Sequence, residues 1–166
     1  MPILSDGDIA LVRDSFKQAS AAPETLAAAF FRRMFELDRS LRRLFHGDMR
    51  QLGHKFVSTL GVLVTNLERF DDFAPTMRAL GARHAGYHVR DEHYAIAGIA
   101  LIGTLAGQLG DSFTPATRAA WTRVFGAITD EILSGARSAQ VPPAAPAYPL
   151  PPSSTACTVP SNVATS

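Results

Sequence analysis

At 166 residues with 46% hydrophobic content, the chain is long enough to bury one sizeable core and is expected to form a single domain. A net charge of +1 argues against a nucleic-acid binder, and the arginine pairs Arg32-Arg33 and Arg42-Arg43 sit among apolar residues, where they read as solvated helix faces. The single cysteine, Cys157, excludes an internal disulfide framework and any multi-thiolate metal site.

The opening residues Met-Pro-Ile-Leu-Ser-Asp show no basic region followed by an apolar run, so no secretory signal is expected and a cytoplasmic location fits best. Ser5 with Asp8 three residues on marks a helix start, and Ile9, Val12 and Phe16 give that helix an apolar face. Pro23 suits the first turn of a second helix, with Leu26, Phe30, Met34 and Leu37 along one side. Asp38 is placed to cap a short third helix ending near Leu44-Phe45. After the break at His46-Gly47-Asp48, a long helix is expected from about Met49 to Leu67, its apolar face carrying Leu52, Phe56, Leu60, Leu63 and Leu67. Asp71-Asp72 precede the next helix, which tolerates Pro75 in its first turn. Asp91 is expected to cap a helix running to Gly110, and Thr114-Pro115 to open a last one reaching about Gly135. The uncharged stretch Ala95 to Gly110 reads as too short and too glycine-rich for a membrane span. No segment alternates with period two, so the fold class is all-α.

Small residues mark candidate helix crossings: Ala27-Ala28-Ala29 on the second helix and Gly61 on the long one are placed to let those two backbones approach. From Ser138 onward there are seven prolines and no Asp, Glu, Lys or Arg. Such sequence cannot bury enough area to offset its ordering entropy, so residues 138–166 are expected to be a disordered tail behind a domain at 1–137.

Chemistry concentrates between Leu80 and Tyr94, in Leu-Gly-Ala-Arg-His-Ala-Gly-Tyr-His-Val-Arg-Asp-Glu-His-Tyr. His84 falls at the end of a helix, a turn follows, and a new helix opens at Asp91. A lone histidine is more often a surface or satisfied core residue than a ligand. An imidazole on a last helical turn, aimed into apolar helices, is nevertheless how a protein presents a ligand to haem iron. With Leu44-Phe45 upstream and Val89 and Tyr94 downstream, the chain resembles bacterial single-domain globins and the globin part of flavohaemoglobins from about Ile9 to Leu133.

The resemblance implies a globin fold around haem b with His84 as the iron's axial ligand. It implies Phe45 packed on the porphyrin, 39 residues before His84, with Val89 and Ile96 walling the pocket and Lys55 reaching a propionate. His46, His88 and His93 are left surface or capping roles. His54 lies roughly 200° around the long helix from the Leu52 and Phe56 face and is expected to point away. Where relatives carry a distal tyrosine and glutamine, this chain aligns Phe31 and Leu52, with Gln51 next to the latter. A pocket of Phe31, Leu52 and Phe56 holds no hydrogen-bond donor. One missing bond, about 1 kcal/mol or more, predicts roughly tenfold faster O₂ release, with CO less affected. Tyr94 matches a proximal tyrosine, but the position of its partner glutamate is held by Ala136, Asp130 and Glu131 lying on other faces.

The functional expectation is reversible binding of O₂, with CO and NO as further ligands, for oxygen binding, delivery or sensing by a monomer or homodimer. The alternative is a haem redox enzyme of nitric oxide dioxygenase type, or one acting on nitrite or peroxide, served by a separate reductase. Neither nucleic acid nor membrane is an expected partner.

Overall fold

A computed structural model describes residues 4–140, and among these it contains helices and turns but no strand, as the sequence pattern predicts. Helix α1 (Asp6–Ala19) starts at a reciprocal cap in which Ser5 Oγ accepts the Asp8 N–H at 3.1 Å and the Asp8 carboxylate accepts the Ser5 N–H. Helix α2 (Pro23–Leu37) has its proline at the first position, where no intrahelical N–H is needed. A 3₁₀ turn (Arg39–Leu44) follows, capped by Asp38, whose carboxylate accepts the Ser40 N–H at 2.8 Å. Helix α3 (Met49–Thr65) is capped in the same way by Asp48. Helices α4 (Phe70–Gly86), α5 (Asp91–Leu109) and α6 (Pro115–Gln140) complete the fold.

Several boundaries move from their expected places, each for a local reason. Helix α3 stops at Thr65, not Leu67, because the Thr65 and Asn66 side chains turn back onto the Gly61 and Val62 carbonyls and the chain tightens into a 3₁₀ turn at Leu67–Arg69. Helix α4 opens at Phe70, so Asp71 and Asp72 lie inside its first turn and Pro75 sits within the helix. Arg90, not Asp91, is the residue flanking α5, since its N–H is taken by His93 Nδ1 at 3.0 Å. Helix α6 continues past Gly135 to Gln140, with Ser138 Oγ donating to the Ser134 carbonyl at 2.9 Å, so Ser138–Gln140 leave the expected tail. No proline interrupts until Pro142. The rest of that tail, with Cys157, lies outside the described residues.

Helix α5 also overturns the expectation that its apolar run is too short. With the 3₁₀ turn after it, Asp91–Ser112 spans 22 residues and contains an 18-residue window at a mean hydropathy of 1.2, long and apolar enough by length and composition to cross a membrane. It packs against α2, α1 and α6, with Ala100, Leu101 and Leu105 buried, while 28% of that window is buried in all. The centre of the core is Trp121, whose indole N–H donates to Ser15 Oγ at 2.9 Å while that hydroxyl donates to the Leu11 carbonyl.

Two helix crossings organise everything around the site. At α4 and α6, a Cβ on Gly81 would lie 1.8 Å from the Ile132 carbonyl oxygen, and one on Gly135 would lie 2.0 Å from that of Arg78. The two backbones therefore touch at a pair of points that only glycine permits. At α2 and α3 the crossing runs through Gly53, where a Cβ would meet the Ala27 methyl at 2.8 Å. Ala27 thus fills the role expected of it. Gly61 does not: it faces Phe16 of α1.

Candidate functional site

Helix α4 ends in a turn that fixes His84 from both ends. The His88 N–H donates to the Ala85 carbonyl at 3.1 Å and the Val89 N–H to the His84 carbonyl at 3.2 Å, the paired bonds of a Schellman motif. The Tyr87 N–H shares that same His84 carbonyl at 3.0 Å. His88 holds the left-handed position at φ 63°, where glycine is usual, and its side chain is exposed.

The His84 side chain is fixed as well. Its Nδ1 lies 2.8 Å from the Leu80 carbonyl oxygen. A carbonyl only accepts, so Nδ1 carries the proton and Nε2 presents a lone pair. Among the described residues Nε2 makes no hydrogen bond. A half-buried imidazole so oriented has the donor set of an iron ligand whose other nitrogen is held by an outer acceptor. Tyr94 lies beside it, ring centroids 6.2 Å apart. The Tyr94 hydroxyl is buried without a hydrogen-bond partner, and burial, with a smaller effect from Asp91, pushes its pKa up to about 12. Ala136 is buried, and Glu131 is engaged elsewhere, its carboxylate accepting from Arg78 Nε at 2.7 Å.

Phenylalanine rings gather where α2, α3 and the 3₁₀ turn meet. Phe31 packs edge-on against Phe45 at 5.3 Å and Phe56 at 5.9 Å, while Phe30 stacks on Phe56 at 4.1 Å and Phe35 meets Phe45 at 5.5 Å. Phe31 is buried; Phe45, Leu52 and Phe56 are half-buried; Gln51, His54 and Lys55 are exposed. Val89 and Ile96 are half-buried apolar residues packed against the core. His46 is exposed, whereas His93 is buried, a placement that its position in sequence did not signal.

The two halves of the site are carried by helices that scarcely meet. Helix α3 is anchored on α2 and α1, and α4 on α6, with almost no contact between α3 and α4 themselves. Half-buried apolar side chains on both, and a histidine with a free nitrogen on one, suit a flat apolar group with a metal at its centre. The residues present therefore fit haem.

The globin family model matches residues 28–132, the stretch holding both halves of this site. Curated relatives include flavohemoproteins of Bacillus subtilis, 22% identical over 134 residues, and of Bordetella parapertussis, 27% identical over 132 residues. The alignments cover 79% and 78% of this chain but only 34% and 33% of those proteins, so the chain spans about a third of their length. Among solved structures, a hexacoordinated heme protein from an anhydrobiotic tardigrade, crystallised at pH 4, superposes with a TM-score of 0.73 at 15% identity, over 81% of this chain and 96% of that one. The fold, and a family model that matches well over half of the chain, place this protein in the globin family.

Proposed function

We propose that this globin binds haem b through His84 Nε2 and uses it to bind O₂ reversibly, with CO and NO as alternative ligands. The observation that carries the reading is the imidazole itself: Nδ1–H is held by the Leu80 carbonyl and Nε2 is left free. Haem, when bound, would supply an iron able to coordinate a diatomic gas. The rest falls to the chain's own side chains. Phe45, Leu52, Phe56, Val89 and Ile96 would contact the macrocycle with apolar area that asks for no hydrogen bond, and Lys55, which is exposed, would pair with a carboxylate at its edge. Phe31, with Phe45 and Phe56 against it, excludes water from the gas side but offers no donor to a polar ligand. Leu80 fixes the imidazole plane. Tyr94 crowds the ring without polarising it through an acidic partner.

A second reading, a haem redox enzyme of nitric oxide dioxygenase type working with a separate reductase, takes support from the similarity to flavohemoproteins. Phe31 on one side, and a Tyr94 hydroxyl that is buried without a hydrogen-bond partner on the other, weigh against it. Visible absorption of the reduced protein, before and after CO, for wild type and His84→Ala, tests the proposal. We expect a broad five-coordinate ferrous band that sharpens with CO and is lost or altered in the variant. Resolved six-coordinate bands before CO would point to an internal second ligand. No haem spectrum after reconstitution would sink both readings. Sustained NO turnover with an added reductase would favour the second.

A further inference from the structure

Helix α5 presents an apolar strip to solvent. Ile99, at its middle, is 61% exposed. At about 100° per residue, Ala95, Ile102 and Ala106 lie within about 60° of Ile99 around the helix, and each is exposed or half-buried. No Asp, Glu, Lys or Arg occurs between Glu92 and Asp111. The strip is bounded on one side by α6, where Phe125 lies on Gly98. On the other side it is bounded by α2, where the Arg33 side chain runs along Gly103 and Gly107. Leu37, about one turn after Arg33 on α2, is 49% exposed and widens the apolar area.

Charge singles out what covers this strip. Arg33 is exposed and has no ion-pair partner among the described residues, and the rest of the chain holds no Asp or Glu. Its Nη2 stands beside Gly107, 3.8 Å from where a Cβ there would lie. Glu92 precedes Ile99 by seven residues and Gly107 follows it by eight, so carboxylate and guanidinium flank Ile99 at similar distances, roughly 10–12 Å along the helix. Glu92 is also only about 20° from Ile99 around it. A two-fold axis across α5 at Ile99 reverses the helix and exchanges these two ends. It sets Ile99 on Ile99, Ala95 opposite Gly103, and each Glu92 against the Arg33 of the other copy. A parallel pairing would set Glu92 on Glu92, which is repulsive, and an anionic bilayer would accept Arg33 but repel Glu92. We propose that this strip is a homodimer interface, two α5 helices packed antiparallel with reciprocal Arg33–Glu92 pairs at its ends. Glu92 already accepts from Arg90 Nη2 on the surface at 2.8 Å, and a carboxylate has lone pairs for two guanidinium groups. One helix face with Leu37 falls short of the ~800 Å² per partner of a standard interface, so the association is weak, with a Kd on the order of 10–100 µM.

Sedimentation velocity of the full chain as purified, from roughly 1 µM to 1 mM, tests this. We expect a reversible monomer–dimer equilibrium that Ile99→Glu abolishes across that range. Ile99 is exposed, so the fold tolerates the change, and an unaltered helical circular dichroism signal and Tm check it. Arg33→Glu and Glu92→Arg are each expected to weaken dimerisation about tenfold, since each loses two pairs and creates two like-charge contacts, and the double variant to restore it. Monomer at every concentration overturns the interface. So does a dimer indifferent to Ile99→Glu, or one that the double exchange fails to rescue. A monomer that floats with phosphatidylglycerol vesicles also overturns it, by assigning the strip to a lipid surface. Mass is read without reference to haem, so the outcome is independent of the proposed function.

Discussion

The side of the site built from α4 and α6 and the side built from α2 and α3 are assembled by different means. On the first, backbone meets backbone: Gly81 against Ile132 and Gly135 against Arg78, with the His84 carbonyl and imidazole both held by hydrogen bonds. On the second, side chain meets side chain, through five phenylalanine rings and a glycine facing a single methyl group. Backbone contacts fix position and leave no room for adjustment. Aromatic packing fixes polarity and volume, and tolerates repacking. The His84 side is thereby specified by geometry and the opposite side by chemistry.

The largest effect should come from adding one carbon at the rigid crossing. Gly81→Ala is expected to destabilise by about 3 kcal/mol or more in denaturant unfolding, because a Cβ at 1.8 Å from a carbonyl must push two helices apart. Gly53→Ala, which meets only the Ala27 methyl, should cost about half as much; equal losses would erase the contrast. On the aromatic side, Phe31→Tyr places a donor among apolar rings and is expected to slow O₂ dissociation by about tenfold, with CO dissociation much less changed. Stopped-flow ligand displacement measures both, and parallel slowing of the two gases would mean altered access and not a new hydrogen bond.

Smaller effects sharpen the comparison from outside it. Hydrogen bonds from Arg123 and then Ser5 lower the Asp8 pKa from 3.8 to about 2. A depressed carboxylate stabilises fully above its unfolded pKa and loses that contribution as pH falls from 3.8 through about 2. Asp8→Asn should therefore cost about 1–2 kcal/mol at neutral pH, discounted because Arg123 is exposed, and the gap to wild type should close in acid. Arg123 reaches Asp8 across α1 and α6, so this loss should leave the haem spectrum unchanged. Last, Tyr94→Phe removes a buried hydroxyl that has no partner, and is expected to be neutral or stabilising by up to about 1 kcal/mol. A clear loss of stability would mean that the hydroxyl finds an acceptor in solution.

Legibility in the sequence followed the same division. Helix positions came from apolar spacing and caps, and His84 stood out because a ligand-type residue sat before a turn and between apolar segments. The polarity of the opposite side was equally readable, since Phe31 is apolar whatever its rotamer. Contacts between backbones were not, because Gly81 and Gly135 carry no side-chain signal to distinguish them from Gly86 or Gly126, beside which nothing lies within 4 Å. Gly61 shows the same blindness in reverse. Burial of His93 was hidden too, as a histidine three residues past a helix-flanking arginine reads first as a cap, which it also is.

The glycine contact at Gly81 has a further consequence, for the direction in which His84 points. Gly81 indexes α4 against Ile132, and His84 follows three residues later, about 300° around the helix and roughly 4.5 Å along it. The imidazole's compass bearing relative to α6 is thus counted out in residues from a fixed origin. A single insertion between the two would swing it by about 100° while leaving the crossing untouched. The three-residue spacing is accordingly the short stretch of α4 where length, more than composition, decides what the protein can hold.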